Sequence, residues 1–252
     1  MARRRRYNRK RRRGSFAFLY KLLAFVLICG AIGLALAMFF KVEDIEVNGN
    51  SRYSKEQIVA AAEVKPGDNL FLLNKYDAAA RIRQQLPYVE TVQFRRVLPN
   101  KLVVQVTECR DPVAIKQDGT VYLLCNKGNI VDTVSAAKWS QYIQIEGLTL
   151  LDPQVGGEAR ASATQQMVLE RLLEILSLLE EKGMLHQVQV VDLSDAARIT
   201  MRYMDRFDVE FLWDADFDYK LDYLVAVVDK LEANEKGTID MTQEGKASFI
   251  PA

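Results

Sequence analysis

The sequence predicts an α+β protein in which one N-terminal transmembrane helix precedes two small domains. Three features predict this class: an uncharged run of nineteen residues near the N-terminus, a strand-helix-helix-strand-strand pattern after it, and a longer mixed pattern that closes the chain. With 49% hydrophobic residues, 13 Gly and 6 Pro, the 252-residue chain does not have the composition of a disordered or fibrous protein. Three Cys are too few for a disulfide framework, so the fold depends on an apolar core.

Charge is distributed unevenly along the chain. Residues 1–41 contain eleven Lys or Arg and no acidic residue. Removing these eleven from the total of 34 leaves 23 basic against 33 acidic residues, so residues 42–252 carry a net charge of −10, whereas the whole chain carries +1. This asymmetry predicts a basic cytoplasmic tail at residues 1–21 and an acidic body outside the cell membrane.

Residues 22–40 are predicted to form the transmembrane helix. Nineteen residues rise by roughly 28 Å in an α-helix, close to the hydrocarbon thickness of a bilayer. Basic residues precede this run, among them Arg11, Arg12, Arg13 and Lys21. Because such residues stay in the cytoplasm, they predict a single-pass protein whose N-terminus lies inside the cell.

Two alternatives compete for this segment. A cleavable signal peptide has the same basic start, and Ala35-Leu36-Ala37 offers a cleavage motif. The apolar run continues through Met38-Phe39-Phe40, which favours an uncleaved anchor. The arginine cluster also suits nucleic-acid phosphates, but its position directly before a spanning helix favours a topogenic role and contact with anionic lipids.

The first exported domain is predicted at residues 42–112, in the order β-α-α-β-β. Ser54 and Gln57 form a capping-box pattern that predicts a first helix. A second helix is expected to start at the capping residue Asp77 and to stop at Pro87. Alternating apolar residues on both sides of a turn at 98–101 predict a β-hairpin.

The second exported domain is predicted at residues 113–241 as a mixed α/β unit with an antiparallel-rich sheet. Short apolar runs separated by turn residues predict strands, and spacings of three and four predict helices. The predicted strands are 113–115, 121–125, 129–131, 143–145, 188–193, 198–203, 209–212 and 237–241, and the predicted helices are 163–182 and 219–231. Residues 242–252 are predicted to be a polar tail.

The sequence offers little material for catalysis. His186 is the single His and is expected to lie at the surface. A calcium loop beginning at Asp214 would need Gly and Glu where Tyr219 and Val225 stand. Cys109 and Cys125 are interpreted as buried thiols, because the sequence does not place their Cα atoms within bonding range, although a disulfide would persist outside the membrane. We therefore predict no catalytic, cofactor or metal residues, and no nucleic-acid or small-molecule partner.

Two stretches resemble a known family. VEDIEVNGN and LPYVETVQFRRVLPNKLVVQVTECRDPVA resemble the POTRA domain of the FtsQ/DivIB cell-division proteins. The residues carrying this resemblance are Gly49, Pro87, Val92, Pro99, Glu108, Arg110, Pro112 and Ala114. IEG, VVDLS, DYKLDYL and GTIDM are similar to the second domain of that family. The chain departs from the family pattern at Cys109, which separates Glu108 from Arg110, and at Phe211-Leu212-Trp213, where a Gly is usual.

The resemblance implies a non-enzymatic scaffold at the division septum. It implies binding to FtsB/DivIC-like and FtsL-like bitopic proteins and an indirect link to the septal peptidoglycan synthase. A sheet edge after the last helix is expected to pair with an extended partner segment. The residues expected there are Thr238, Ile239, Asp240 and Met241, supported by Val209 and Phe211. Plain core packing remains an alternative for Ile239 and Met241, and Asp240→Pro is expected to abolish partner binding without unfolding the domain.

Two other functions stay open. A POTRA-bearing component of protein transport or outer-membrane assembly would need many amphipathic strands after the POTRA unit, where the sequence instead predicts the helices at 163–182 and 219–231. A membrane-anchored enzyme would need a site that the sequence does not reveal.

Overall fold

The structure is a computed structural model that describes residues 16–252, without the side chains of residues 16, 17 and 35–37. Arg11, Arg12 and Arg13, which were predicted to set the topology, lie outside the described residues. The chain divides into two compact units. Unit 1 comprises Met1–Ile45, Lys65–Leu73 and Arg96–Leu102, and unit 2 comprises Glu46–Val64, Asn74–Arg95 and Val103–Ala252.

Helix α1 spans Phe16–Phe39 and contains Lys21, which is exposed. Within residues 16–252, no helix combines the length and the apolar character needed to cross a membrane. The transmembrane placement of residues 22–40 stays a prediction.

Backbone hydrogen bonds organise the rest of unit 1. The N–H of Val42 donates to the carbonyl oxygen of Asp68 at 2.8 Å, and the N–H of Leu70 donates to that of Phe40 at 2.9 Å. The Phe40 ring meets the ring of Phe71 edge-on, with centroids 5.1 Å apart. The segment after α1 is thereby tied to residues 67–71.

The region after α1 has the predicted order of elements. The elements are β1 (Asp44–Asn48), α2 (Lys55–Ala62), α3 (Lys75–Gln85), β2 (Val89–Val97) and β3 (Lys101–Glu108). The strands form a three-stranded sheet in the order β1-β3-β2. Ser54 and Gln57 make both hydrogen bonds of the predicted capping box. The expected start of α3 at Asp77 was wrong, because the side chain of Asn74 accepts from the N–H groups of Tyr76 and Asp77 and so caps the helix earlier.

The region from residue 113 onward is built on a nine-stranded sheet. Its strands are β4 (Val113–Gln117), β5 (Thr120–Leu124), β6 (Ile130–Ser135), β7 (Ile143–Glu146), β8 (Val188–Asp192), β9 (Arg198–Tyr203), β10 (Phe207–Leu212), β11 (Gly237–Asp240) and β12 (Ser248–Pro251). Its helices are α4 (Gln166–Glu181) and α5 (Phe217–Val228), with short 3-10 helices at Ala136–Gln141 and Leu185–Gln187. The spatial order of strands is β12-β11-β10-β9-β8-β7-β4-β5-β6.

Most neighbouring strands in this sheet are antiparallel, as predicted. The parallel pairs are β4 with β7, β7 with β8, and β10 with β11. One face of the sheet packs on the apolar sides of α4 and α5, and both helices contribute fully buried residues such as Leu172, Leu176, Leu221 and Leu224. The α+β class with a POTRA-like region and a mixed sheet is therefore confirmed.

Cys109 and Cys125 form a disulfide with their Cα atoms 6.0 Å apart. Burial of both residues was predicted correctly, but the interpretation as two free thiols was wrong. The ends of β3 and β5 bring the two residues together, and this strand arrangement cannot be derived from their spacing in the sequence.

The expected polar tail at 242–252 was also wrong in part. Residues 248–251 form strand β12, which pairs antiparallel with β11.

Candidate functional site

The C-terminal end of the nine-stranded sheet is the candidate functional site. Strand β11 was expected to be its open edge, and this placement was wrong. β11 pairs in parallel with β10 on one side, where Val209 aligns with Ile239, and antiparallel with β12 on the other, where Phe249 aligns with Ile239. Among the described strands, β12 is the outermost one at this end.

The backbone of β12 shows which groups face outward. The N–H of Ala252 donates to the carbonyl oxygen of Lys236 at 2.9 Å, so Ala252 points toward β11. Alternate residues of an antiparallel strand direct both backbone groups to the same side. Ser248 and Ile250 therefore also face β11, whereas Phe249 and Pro251 face away from it. The outer side of β12 offers the N–H and carbonyl of Phe249 and the carbonyl of Pro251, which has no N–H.

The side chains of β12 divide between the two faces of the sheet. Phe249 lies on the core face, where its ring meets Phe207 with centroids 6.1 Å apart. Ile250 aligns with Thr238 on the opposite face and is 57% exposed. A large apolar side chain therefore lies in solvent beside the free backbone groups of Phe249.

Lys220 holds the connection between β11 and β12. This buried lysine of α5 donates from Nζ to the carbonyl oxygens of Met241 at 2.7 Å and Gln243 at 2.8 Å. Asp240 closes the same turn by accepting from the N–H and the hydroxyl of Thr242, and these hydrogen bonds lower the pKa of Asp240. The start of the connection is thus fixed at its backbone.

The predicted edge residues occupy different environments. Ile239, Met241, Val209 and Phe211 are fully buried in the core, as the alternative of core packing proposed for the first two. Thr238 and Asp240 are half-buried on the other face. The N–H of Asp240 faces β12, because the N–H of the next residue, Met241, donates to β10 at Glu210. Asp240→Pro would therefore break a bond inside the sheet and is no test of partner binding.

Sequence reasoning missed β12 and Lys220. The signal for β12 was weak, since Ser-Phe-Ile-Pro is a short run in which Phe249 and Ile250 are adjacent rather than alternating. A lysine within the apolar pattern of α5 was a possible signal for a buried cation, because Lys is rarely buried unless it has partners.

Among the residues carrying the POTRA resemblance, Glu108 has a carboxylate that accepts four hydrogen bonds. Its Oε2 accepts from the N–H and hydroxyl of Ser51 and from the N–H of Arg52, each at 2.7 Å, and its Oε1 accepts from the N–H of Tyr53 at 3.2 Å. Burial alone would raise the pKa of Glu108, but these hydrogen bonds lower it below the usual 4.5. Glu108 therefore ties the end of β3 to the segment before α2.

The other residues of that set have separate roles. A Cβ at Gly49, where φ is +85°, would overlap the carbonyl oxygen of Val106, so the turn after β1 requires glycine. Ala114 is fully buried in β4. Pro87, Val92 and Pro112 are half-buried, and Pro99 and Arg110 are exposed. The set is thus dispersed over turns and strands and does not form one site.

A groove with a volume of about 890 Å³ lies on the sheet face opposite α4 and α5. His186, in the second 3-10 helix, lines it and is exposed, as expected. Arg202, another lining residue, is paired with Asp208 at 2.8 Å. Among the described residues of this groove, no hydroxyl group is hydrogen-bonded to His186 or to a carboxylate.

One cluster in the described part of the chain has the composition of a metal site. Glu90, Cys109 and Cys125 are all buried, and their potential ligand atoms lie within 4.8 Å of one another. Burial, together with the charge of Glu180, raises the pKa of Glu90 to about 7.

Comparisons with known proteins agree with this architecture. The family model for the FtsQ-type POTRA domain matches residues 40–108, and that for the C-terminal domain of the cell division protein FtsQ/DivIB matches residues 113–242, just over half of the chain. The chain is 27% identical over 217 residues to the cell division protein DivIB of Clostridium botulinum, covering 84% of this chain and 82% of that protein. It is 28% identical over 201 residues to the cell division protein FtsQ of Geotalea daltonii, covering 79% of this chain and 70% of that protein. The chain therefore belongs to the FtsQ/DivIB family of cell division proteins.

Proposed function

We propose that this chain is a septal scaffold that captures an extended segment of small bitopic division proteins, of the FtsB/DivIC and FtsL types, along the outer side of β12. The unpaired outer side of β12, in a chain of the FtsQ/DivIB family, is the observation that carries the proposal. Through these proteins the scaffold acts indirectly on the septal peptidoglycan synthase.

Backbone pairing supplies the affinity in this proposal. The N–H and carbonyl of Phe249 face outward, so one residue of a guest strand exchanges two hydrogen bonds with it. Ile250 adds an exposed apolar contact on one face of the sheet. The pairing requires no catalytic group, which is consistent with a scaffold.

A rigid connection to the core supports this role. Lys220 fixes the backbone at Met241 and Gln243, and Phe249 contacts Phe207 in the core. A strand already held in its paired conformation loses little conformational entropy when a guest strand binds, which favours affinity.

A pair of substitutions at Phe249 tests the edge. Phe249→Pro removes the outward N–H together with the aromatic ring, whereas Phe249→Ala removes the same ring and keeps the N–H. We expect the full chain in detergent micelles to lose about tenfold in affinity for the partner's extracytoplasmic segment with Pro relative to Ala, because a backbone bond is lost. Calorimetric titration measures the difference, and equal affinities of the two variants would rule out pairing at this edge.

We also propose that residues 22–40 anchor the protein in the cell membrane, with the N-terminus in the cytoplasm and the body outside. The supporting observations are the uncharged run and the eleven basic residues of positions 1–41. We expect protease added to intact spheroplasts to degrade the body at residues 42–252 and to leave an epitope at the N-terminus protected. Protection of the body would reverse the topology, and release of the body without protease would indicate cleavage after Ala37.

A further inference from the structure

Three strands bring two sulfur atoms and a carboxylate to one buried point. Glu90 lies at the start of β2, Cys109 directly follows β3, and Cys125 directly follows β5. Their potential ligand atoms lie within 4.8 Å of one another, and the exposed fractions of the three residues are 7%, 8% and 0%. The cluster is distinct from the sheet edge at β12.

The surroundings of the Glu90 carboxylate are unusual for a buried acidic group. None of the hydrogen bonds or ion pairs in the described part of the chain involves its carboxylate, whereas the buried carboxylate of Glu108 accepts four hydrogen bonds. Its charged neighbours are Glu180, which repels a negative charge, and Lys127, which attracts one. A buried carboxylate without donors is costly in its charged form unless it takes up a proton or a cation compensates it. The fold nevertheless directs this carboxylate toward the two sulfur atoms.

The donor set matches the preference of zinc. Two thiolates and a carboxylate provide three ligands, and water can take the fourth tetrahedral position. In a tetrahedral site with zinc–sulfur bonds of about 2.3 Å, the two sulfur atoms lie about 3.8 Å apart. The two sulfur atoms are bonded to each other in the disulfide, so the bridge must be broken before they can separate to this distance.

We propose that Cys109, Cys125 and Glu90 form a Zn²⁺ site when the disulfide is reduced, so that the same two sulfur atoms exist either as a disulfide or as zinc ligands. The disulfide and the metal exclude each other, because zinc binds the thiolates and not the disulfide.

The reductant is a small dithiol. A pocket of about 370 Å³ is lined by Ser51, Arg52, Cys109 and Arg110, and we take this side as the approach of the dithiol to Cys109. One thiolate of the dithiol attacks Cys109 Sγ, the S–S bond breaks, and Cys125 leaves as a thiolate. The second thiol then attacks the mixed disulfide and releases Cys109, so that two electrons pass to the protein and the dithiol becomes a disulfide. Zinc binding displaces the protons of the two protein thiols to water.

Cobalt titration of the full chain in detergent tests the site. Cys29 is exposed and free, so Cys29→Ala serves as the background and removes an adventitious thiol. After anaerobic reduction and removal of the dithiol, we expect one equivalent of Co²⁺ to give the thiolate charge-transfer and ligand-field bands of a tetrahedral site. Zinc should displace the cobalt, and the oxidised chain should give no such bands.

Substitutions separate the ligands from their surroundings. Glu90→Gln keeps the shape of the side chain and removes the charge, and we expect it to weaken cobalt binding by about tenfold or more. Glu180→Gln changes the neighbouring carboxylate outside the ligand set and should leave the bands in place. The proposal fails if the reduced background chain gives no thiolate band, if Glu90→Gln binds as well as the background, or if the oxidised chain binds equally. The comparison of the reduced with the oxidised background chain uses one chain in two redox states and does not depend on the folding of a ligand variant.

Discussion

A single carboxylate holds one end of β3 in place. Glu108 accepts three hydrogen bonds from backbone N–H groups and one from a hydroxyl, all within residues 51–53. These donors are separated from it by 55 to 57 positions along the chain. The resemblance to the POTRA family identified Glu108. Its role as a hydrogen-bond acceptor could not be predicted from the sequence, because its donors belong to a distant turn and are backbone N–H groups and a hydroxyl instead of charged side chains.

Glu108→Gln should destabilise the protein by about 2 kcal/mol, because hydrogen bonds to a charged acceptor are replaced by fewer bonds to a neutral one. Urea unfolding of the chain, followed by tryptophan fluorescence, measures the change. Glu63→Gln is the matched control: Glu63 is an exposed partner of Arg81, and its substitution should cost less than about 1 kcal/mol.

A second test compares how the free energies of unfolding of the wild type and of Glu108→Gln depend on pH. The folded pKa of Glu108 lies below its usual value of 4.5, so the stabilisation is complete above that value and is lost as pH falls through the lower folded pKa. The difference between the wild type and Glu108→Gln should therefore shrink in acid. A difference that stays constant from neutral pH to acid would show that the charge of Glu108 contributes nothing.

At the scale of elements, β12 depends on its close approach to β11. A Cβ added to Gly237 would overlap the carbonyl oxygen of Ile250 and crowd the backbone of Pro251. Glycine at the start of β11 therefore permits the antiparallel pair. Sequence patterns identified β11 but not β12, because a four-residue strand with adjacent apolar residues lacks a clear period of two. The order of strands in the sheet is also a non-local property that such patterns do not contain.

Gly237→Ala should detach β12 while the rest of the sheet stays folded. We expect the amide protons of Ser248, Ile250 and Ala252, which face β11, to exchange markedly faster with deuterium, and those of β9 and β10 to keep their protection. Gly245→Ala lies in the same connection and meets no atom within 4 Å, although its φ of +66° disfavours alanine. It should leave β12 protected, and equal exchange in the two variants would refute the close contact.

At the scale of the whole molecule, most of the architecture followed from local patterns. The α+β class, the order of helices and strands and the capping box at Ser54 could be predicted, because each depends on residues close in sequence. The disulfide could not be predicted, because it depends on how the ends of β3 and β5 meet in space. The buried role of Val209 and Phe211 was missed for a related reason, since β10 lies inside the sheet and its apolar residues face the helices.

Replacing both disulfide cysteines by alanine should destabilise the chain by about 3 kcal/mol, because a bridge across 16 positions restricts the unfolded chain. Urea unfolding in metal-free buffer measures the loss, and dithiol reduction of the wild type should cause a loss of similar size. Cys29→Ala is the control and should be neutral, since this thiol is exposed and unbonded. Unchanged stability of the double variant would mean that the bridge has no effect on the folding equilibrium.

The proline in β12 limits the length of the guest strand that can pair with this end of the sheet. Pro251 provides an acceptor but no donor, so a long strand cannot continue the hydrogen-bond ladder past this point. A short guest that pairs at Phe249 is accommodated, whereas a second copy of the sheet would lack the full ladder needed for edge-to-edge growth. The expected stoichiometry at this edge is therefore one short guest strand per chain, and β12 is protected against edge-to-edge growth with a second copy of itself.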